Sequence, residues 1–152
     1  GAVLNCQLIS HGEIPVAVYV DLPDFKLYMS DTGLLTMKSQ MPHSMIISET
    51  LINNLFMVAI TENYVAQSLK ANGHTLYCWK SGNRAEVDFV IQLDEAVVPI
   101  EVKPSVNVRS KSLSVFSSRY GIARSIRASL RNFGFENGIK SVPLYAMFCI
   151  KN

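Results

Sequence analysis

Residues 85–103 read Ala85-Glu86-Val87-Asp88-Phe89-Val90-Ile91-Gln92-Leu93-Asp94-Glu95-Ala96-Val97-Val98-Pro99-Ile100-Glu101-Val102-Lys103, and the fold turns on them. Two apolar runs of strand length are parted only by Asp94-Glu95, a gap that suits an antiparallel hairpin. Strand alternation then sorts the side chains. Glu86 and Asp88 point one way, while Val87, Phe89 and Ile91 point the other, towards a core. Glu101 and Lys103 share a face opposite Ile100 and Val102. Pairing the two runs can bring Asp88 and Glu101 to one side of the sheet.

The pattern extends in both directions. Residues 75–80 form a further strand, joined to the hairpin through Ser81-Gly82-Asn83, so three strands make an antiparallel meander. Before them, residues 48–72 predict the strongest helix, capped by Ser48 or Thr50 and stopped at Asn72-Gly73. Its stripe of Leu55, Val58, Glu62, Val65 and Leu69 steps by 3, 4, 3 and 4 and so lies on one face. Glu62 stands inside that apolar stripe, where a bare carboxylate is costly and needs a cation, a hydrogen bond or water. The helix packing against the meander would bring Glu62 towards Asp88 and Glu101. After the meander, Leu113, Phe116 and Tyr120 predict a helix stopped by Gly121. Residues 122–130 predict a strand carrying Arg124 and Arg127, residues 132–141 a polar connection, and residues 142–150 a final buried strand.

Residues 1–29 read as strands at 3–9, 14–20 and 25–29, with a turn at His11-Gly12-Glu13. Ser30-Asp31-Thr32-Gly33 is a turn, and the methionine-rich segment around Pro42 is irregular or briefly helical. Its Met37, Met41 and Met45, with Met57, read as core filling or as an adaptable surface. The expectation is an α/β (α+β) domain over 36–152, a mixed sheet flanked by helices in the order α-β-β-β-α-β-β. Residues 1–35 form a strand-rich extension, the tail of a preceding domain. The chain opens Gly1-Ala2-Val3 rather than with Met, which suggests either a tag remnant or a piece of a longer protein.

With 152 residues, 49% of them hydrophobic, the chain can bury a sizeable core. Its apolar runs stop well short of the roughly 18 residues a membrane span needs, and no secretory leader is visible; a soluble cytoplasmic protein is expected, with no membrane partner. Cys6, Cys78 and Cys149 are odd in number and far apart, which suits reduced thiols rather than a disulfide framework. His11, His43 and His74 lack zinc-ligand spacing. Charge is uneven: residues 1–100 hold five Lys/Arg against ten Asp/Glu, and residues 101–152 hold nine against two. Such asymmetry points to an anionic partner, nucleic acid first, or to a basic face that is solvated or docks on an acidic domain.

Three carboxylates and an ammonium suit phosphodiester hydrolysis. Hard oxygen ligands from Glu62, Asp88 and Glu101 would hold Mg²⁺ or Mn²⁺, which lowers the pKa of a bound water and polarises the phosphate. Lys103 would position that water or offset developing charge, making Asp88, Glu101 and Lys103 the catalytic candidates. Arg109, Lys111, Arg124, Arg127 and Arg131 are candidates for holding DNA phosphates. Two other readings stand beside this one. The same fold could be a catalytically silent module for nucleic-acid binding or docking, or the charges could form an ion network tying helix to sheet.

The segments Ile60-Thr61-Glu62-Asn63-Tyr64-Val65-Ala66-Gln67, Leu76-Tyr77-Cys78-Trp79, Ala85–Ile91 and Pro99-Ile100-Glu101-Val102-Lys103 resemble the PD-(D/E)xK nuclease superfamily. More closely, they resemble the C-terminal domain of unknown function of a group of prokaryotic AAA-type ATPases. Phe25-Lys26-Leu27-Tyr28-Met29-Ser30-Asp31-Thr32-Gly33-Leu34-Leu35 and Asn107-Val108-Arg109-Ser110-Lys111-Ser112-Leu113 belong to the same likeness, which runs over about 22–148. It implies a restriction-endonuclease-like core, with Glu62 as the helix carboxylate, Asp88 as the strand carboxylate, and Glu101 and Lys103 as the ends of the acid-x-Lys motif. It also implies an ATPase domain elsewhere in the protein as a partner. Val87 stands where the superfamily name has Pro. Gly138-Ile139-Lys140-Ser141 lacks the upstream glycine and the strand–loop–helix setting of a phosphate loop, so no ATP site is expected here.

Overall fold

A computed structural model describes residues 1–46, 55–106 and 109–152. The proposed caps Ser48 and Thr50 lie outside the described residues, as do Asn107 and Val108. The elements are β1 (Val3–Ile9), a 3₁₀ turn (Val16–Tyr19), β2 (Val20–Met29), α1 (Thr32–Lys38), α2 (His43–Ile46) and α3 (Leu55–Ala71). There follow β3 (Tyr77–Ser81), β4 (Ala85–Leu93), β5 (Ala96–Val102), α4 (Lys111–Tyr120), β6 (Ser125–Ser129), β7 (Gly134–Glu136), β8 (Ile139–Pro143) and a closing 3₁₀ turn (Leu144–Cys149).

Eight strands form one mixed sheet in the order β2-β1-β3-β4-β5-β6-β8-β7. The meander β3-β4-β5 is antiparallel, β1 runs parallel to β3, and β5, β6 and β8 run parallel to one another. Parallel neighbours require crossovers, and α4 supplies the one between β5 and β6. The chain is thus a mixed α/β protein, and β1 and β2 share its sheet. Among the described residues no helix is long and apolar enough to cross a membrane.

Each face of the sheet carries a core. Val65, Ala66 and Leu69 of α3 pack with Phe89, Ile91, Ile100, Val102 and Ala128 on one side. Leu113 and Phe116 of α4 pack with Trp79, Ala85, Val87, Val90 and Val97 on the other. Trp79 donates from its indole N–H to Tyr120 Oη at 3.1 Å and meets Phe116 edge-on. The helix α3 is fastened by polar contacts as well as by its apolar stripe. Asn63 accepts from the Met29 N–H at 2.7 Å and donates to Met29 O, while Gln67 accepts from Thr32 N–H and Oγ1. These bonds hold α3 against the end of β2. Val65 and Leu69 of the stripe are buried, whereas Leu55 is exposed.

Three expectations from the sequence are corrected. Residues 14–20 are not a strand: Pro15 lacks a ladder donor, and a 3₁₀ turn buries Val16 instead. Residues 142–150 do not extend as a strand, since β8 ends at Pro143, which cannot donate, and the chain coils into the closing 3₁₀ turn. Residues 132–141 contain the β7–β8 hairpin, whose turn Asn137-Gly138 takes φ 52° and 75°, as a type I′ turn demands. Pro23, by contrast, sits where a strand proline is tolerated, on the edge strand β2.

The α4 core leaves no slack at the His11-Gly12 corner. A Cβ at the buried Gly12 would run into the Phe116 ring and stand 2.9 Å from Tyr120 Cδ2. Gly12→Ala is therefore expected to cost about 1–3 kcal/mol by overpacking, read from the urea midpoint. An unchanged midpoint would contradict this packing.

Candidate functional site

The alternation of β4 slips in the middle. Trp79 pairs with Val87 but Tyr77 pairs with Val90, so β4 spends one more residue than β3 over that stretch. Val87 consequently faces α4, while Phe89 and Ile91 face α3. The single apolar face expected for Val87, Phe89 and Ile91 is corrected by this bulge. Asp88 lies inside it, between the two sides.

The β4–β5 ladder runs from Leu93↔Ala96 to Phe89↔Ile100. Beyond it β5 stays with β6 through Val102↔Ala128, and the Lys103 N–H donates to Ala128 O at 2.8 Å. Asp88 bridges the widening gap with its side chain, Oδ2 accepting from the Val102 N–H at 2.8 Å. A carboxylate thus takes the place of a backbone carbonyl where the two strands part.

Glu101 and Lys103 share a face as expected, Lys103 Nζ lying 3.4 Å from Glu101 Oε1. With Ile100 and Val102 in the α3 core, alternation turns Glu101 to the α4 side. Glu101 is 4% exposed, and its Oε2 is buried without a hydrogen-bond partner among the described residues. Such an atom costs on the order of 1–3 kcal/mol or more, and more when charged.

Glu62 stands on the α3 side. Its Oε1 accepts from Tyr28 Oη and from Lys26 Nζ at 3.3 Å, and the same ammonium pairs with Glu86. Lys26 and Tyr28, two residues apart on β2, share a face, which is why one carboxylate reaches both. Neither residue stands out from the sequence pattern alone. Their i, i+2 spacing was visible, but the place of β2 beside α3 was not.

Asp88 connects the halves. Burial first, then the Glu62 charge, and to a lesser degree Glu101, push its carboxyl up to about 7, against the opposing pull of the Val102 N–H and Lys26. Burial would lower the Lys26 ammonium, yet Glu62, Glu86 and Asp88 outweigh it and hold the group above its ordinary value. Burial and Glu62 raise the Tyr28 hydroxyl, keeping it a donor.

Among the described residues, no three of the His, Cys, Asp and Glu side chains lie close enough to enclose one ion. Glu62 is already engaged by Lys26 and Tyr28. What fits a hard cation is the pair Asp88 and Glu101, with the orphaned Glu101 Oε2 as a free oxygen. Mg²⁺ commonly takes one or two carboxylates and completes its shell with water and substrate phosphate.

Four of the five proposed phosphate-binding residues lie towards this end of β5 and β6. Arg127 is in register with Glu101 and its Nε donates to Ser110 Oγ at 2.6 Å. Arg131 donates to Val106 O at 2.7 Å, Lys111 opens α4, and Arg109 precedes it. Arg124 stands apart, before the opposite end of β6.

A family model described as a domain of unknown function, DUF4143, matches residues 58–147, more than half of the chain. No curated protein and no solved structure matches it.

The raised Asp88 carboxyl has a pH signature. A carboxyl whose folded pKa lies above its unfolded value of about 4 contributes stability below that pH and loses it as pH rises towards 7. Asp88→Asn should therefore gain on the wild type in metal-free urea unfolding as pH climbs from 4 to 8. A mutant-to-wild-type difference independent of pH would refute the burial and charge crowding described here.

Proposed function

We propose that this chain, which belongs to the DUF4143 family, is a nuclease-like domain that hydrolyses DNA phosphodiester bonds with a divalent metal held at Asp88 and Glu101. The reading includes a restriction-endonuclease-like core, a cytoplasmic setting, and attachment as the C-terminal domain of an AAA-type ATPase. One observation carries it: the buried, unpartnered oxygen of Glu101, paired on its other side with Lys103. Glu101 is close enough to disfavour the charge of Asp88. That arrangement is short of positive charge at the point where the two strands part, and a divalent cation would supply it.

When bound, the cation would supply a water of lowered pKa and a Lewis acid for the scissile phosphate. The chain's own residues do the rest. Asp88 is anchored through Oδ2 by the Val102 N–H, which leaves its second oxygen as the one to offer a cation. Lys103, partly exposed, keeps its ammonium near Glu101 and can approach a phosphate oxygen. Arg127, Arg131, Lys111 and Arg109 offer charge to the flanking backbone, a sequence-independent contact that weakens with salt. Lys26 and Tyr28 hold the Glu62 carboxylate on the α3 side.

A second reading has an observation of its own. Glu62, Lys26, Glu86 and Tyr28 form a closed set of ion pairs and hydrogen bonds between α3, β2 and β4. The same fold could then be a silent nucleic-acid-binding or ATPase-docking module, its charges serving to fasten helix to sheet.

Metal calorimetry and duplex cleavage separate the two. The nuclease reading expects saturable Mn²⁺ or Mg²⁺ binding, with duplex present if needed, and metal-dependent cleavage, both lost in Asp88→Asn. Cleavage retained in that variant would remove Asp88 from the chemistry. Lys103→Ala should slow cleavage by about 10²–10³-fold with little loss of stability. A loss of about 3 kcal/mol in its unfolding free energy would instead favour the fastening role, because a buried carboxylate would be stranded.

A further inference from the structure

A hollow away from the carboxylates lies at the other end of the sheet. It encloses about 510 Å³ between the β4–β5 turn, the start of β6, the β7–β8 hairpin and the closing 3₁₀ turn. Ligand pockets of roughly 300–1,000 Å³ with an apolar lining and a few placed polar groups are the usual small-molecule sites. Here Val98 and Val142 form part of an apolar floor, and Arg124, Lys140 and Lys151 bring three cations to the lining. Among the described residues none of the three has a carboxylate within 4.0 Å. Phe135, 68% exposed, lines the same hollow, as do Asp94 and Glu95 of the β4–β5 turn.

We propose that this hollow binds a nucleoside monophosphate. Each part of such a ligand has a counterpart in the lining. Arg124, Lys140 and Lys151 answer the phosphate through charge-assisted hydrogen bonds. The carboxylates of the Asp94-Glu95 turn accept from ribose hydroxyls, being acceptors only when ionised. The exposed Phe135 ring offers a stacking face to the base, an interaction open to any base. A ring left exposed on a short edge hairpin is poorly explained by packing. Three cations line the hollow, none of them ion-paired among the described residues, with Asp94 and Glu95 in the same lining.

The hollow is separate from the metal site. From Ala96 beside it to Val102 beside Asp88, β5 rises over six residues at about 3.3 Å each, roughly 20 Å. Arg124 therefore belongs to this hollow rather than to the phosphate track around Arg127 and Arg131.

The test is calorimetric titration of the chain with adenosine 5′-monophosphate, with adenosine and inorganic phosphate as separate probes. Saturable binding by the monophosphate, weaker with adenosine or phosphate alone, is expected. Phe135→Ala and the double variant Arg124→Ala/Lys140→Ala should each weaken it by about tenfold or more. These side chains are exposed, so both variants should unfold at the wild-type urea midpoint. Asp88→Asn should bind the nucleotide as the wild type does. The proposal is overturned by absent saturation at millimolar nucleotide, by wild-type binding in the hollow variants, by phosphate binding as tightly as the nucleotide, or by loss of binding in Asp88→Asn. The last result would move the ligand to the carboxylates.

Discussion

The structure around the carboxylates depends on one hydrogen bond, from the Val102 N–H to Asp88 Oδ2. An antiparallel ladder normally satisfies such a donor with a backbone carbonyl. The extra residue in β4 takes that carbonyl away, and the Asp88 side chain replaces it. β5 is thereby released to continue beside β6 while β4 turns aside with β3, and the space between them is lined by acid rather than by backbone. A neutral side chain of similar size could make the bond with less electrostatic cost. The carboxylate makes it while buried near two others, and the folded state carries that cost.

The two helices deepen the effect from opposite sides. α3 is pinned by Asn63 and Gln67 to the end of β2, which fixes the height of Glu62 against Lys26 and Tyr28. α4 closes the other face, where Glu101 points, and its approach through Ser110 engages Arg127. The cations are thus divided: Lys26 serves Glu62 and Glu86, and Lys103 serves one oxygen of Glu101. Asp88 is left crowded by Glu62 and, less, by Glu101, and Glu101 Oε2 has no hydrogen-bond partner among the described residues. In a protein interior like charges are poorly screened, and the proposed divalent ion, with its preference for oxygen, would offset the imbalance.

Much of this was legible in the sequence. Helix α3, the meander β3-β4-β5, and α4 stopped by Gly121 follow from apolar periodicity and turn residues, which are local signals. So does the Glu101–Lys103 pair, since i, i+2 on a strand is a rigid spacing. The bulge at Asp88 was not legible, because Glu86 to Ile91 alternates without interruption in sequence and the slip arises from pairing with β3. The partners of Glu62 were hidden for a related reason. Lys26 and Tyr28 reach it only because β1 pairs in parallel with β3 and carries β2 alongside, a long-range arrangement that no window of residues specifies. The Asn137-Gly138 hairpin is the opposite case, a local signal present in the sequence and passed over within a polar stretch.

The proposed divalent cation would settle at the charge deficit between Asp88 and Glu101. Paramagnetic broadening by Mn²⁺ in the amide proton–nitrogen correlation spectrum reads that position residue by residue. The account predicts that substoichiometric Mn²⁺ first removes the signals of Asp88, Glu101, Val102 and Lys103, leaving those of Ser125 and Lys140 at the far end of the sheet intact. Broadening centred instead on exposed acids such as Asp21 and Asp24, or spread evenly over the chain, would contradict it.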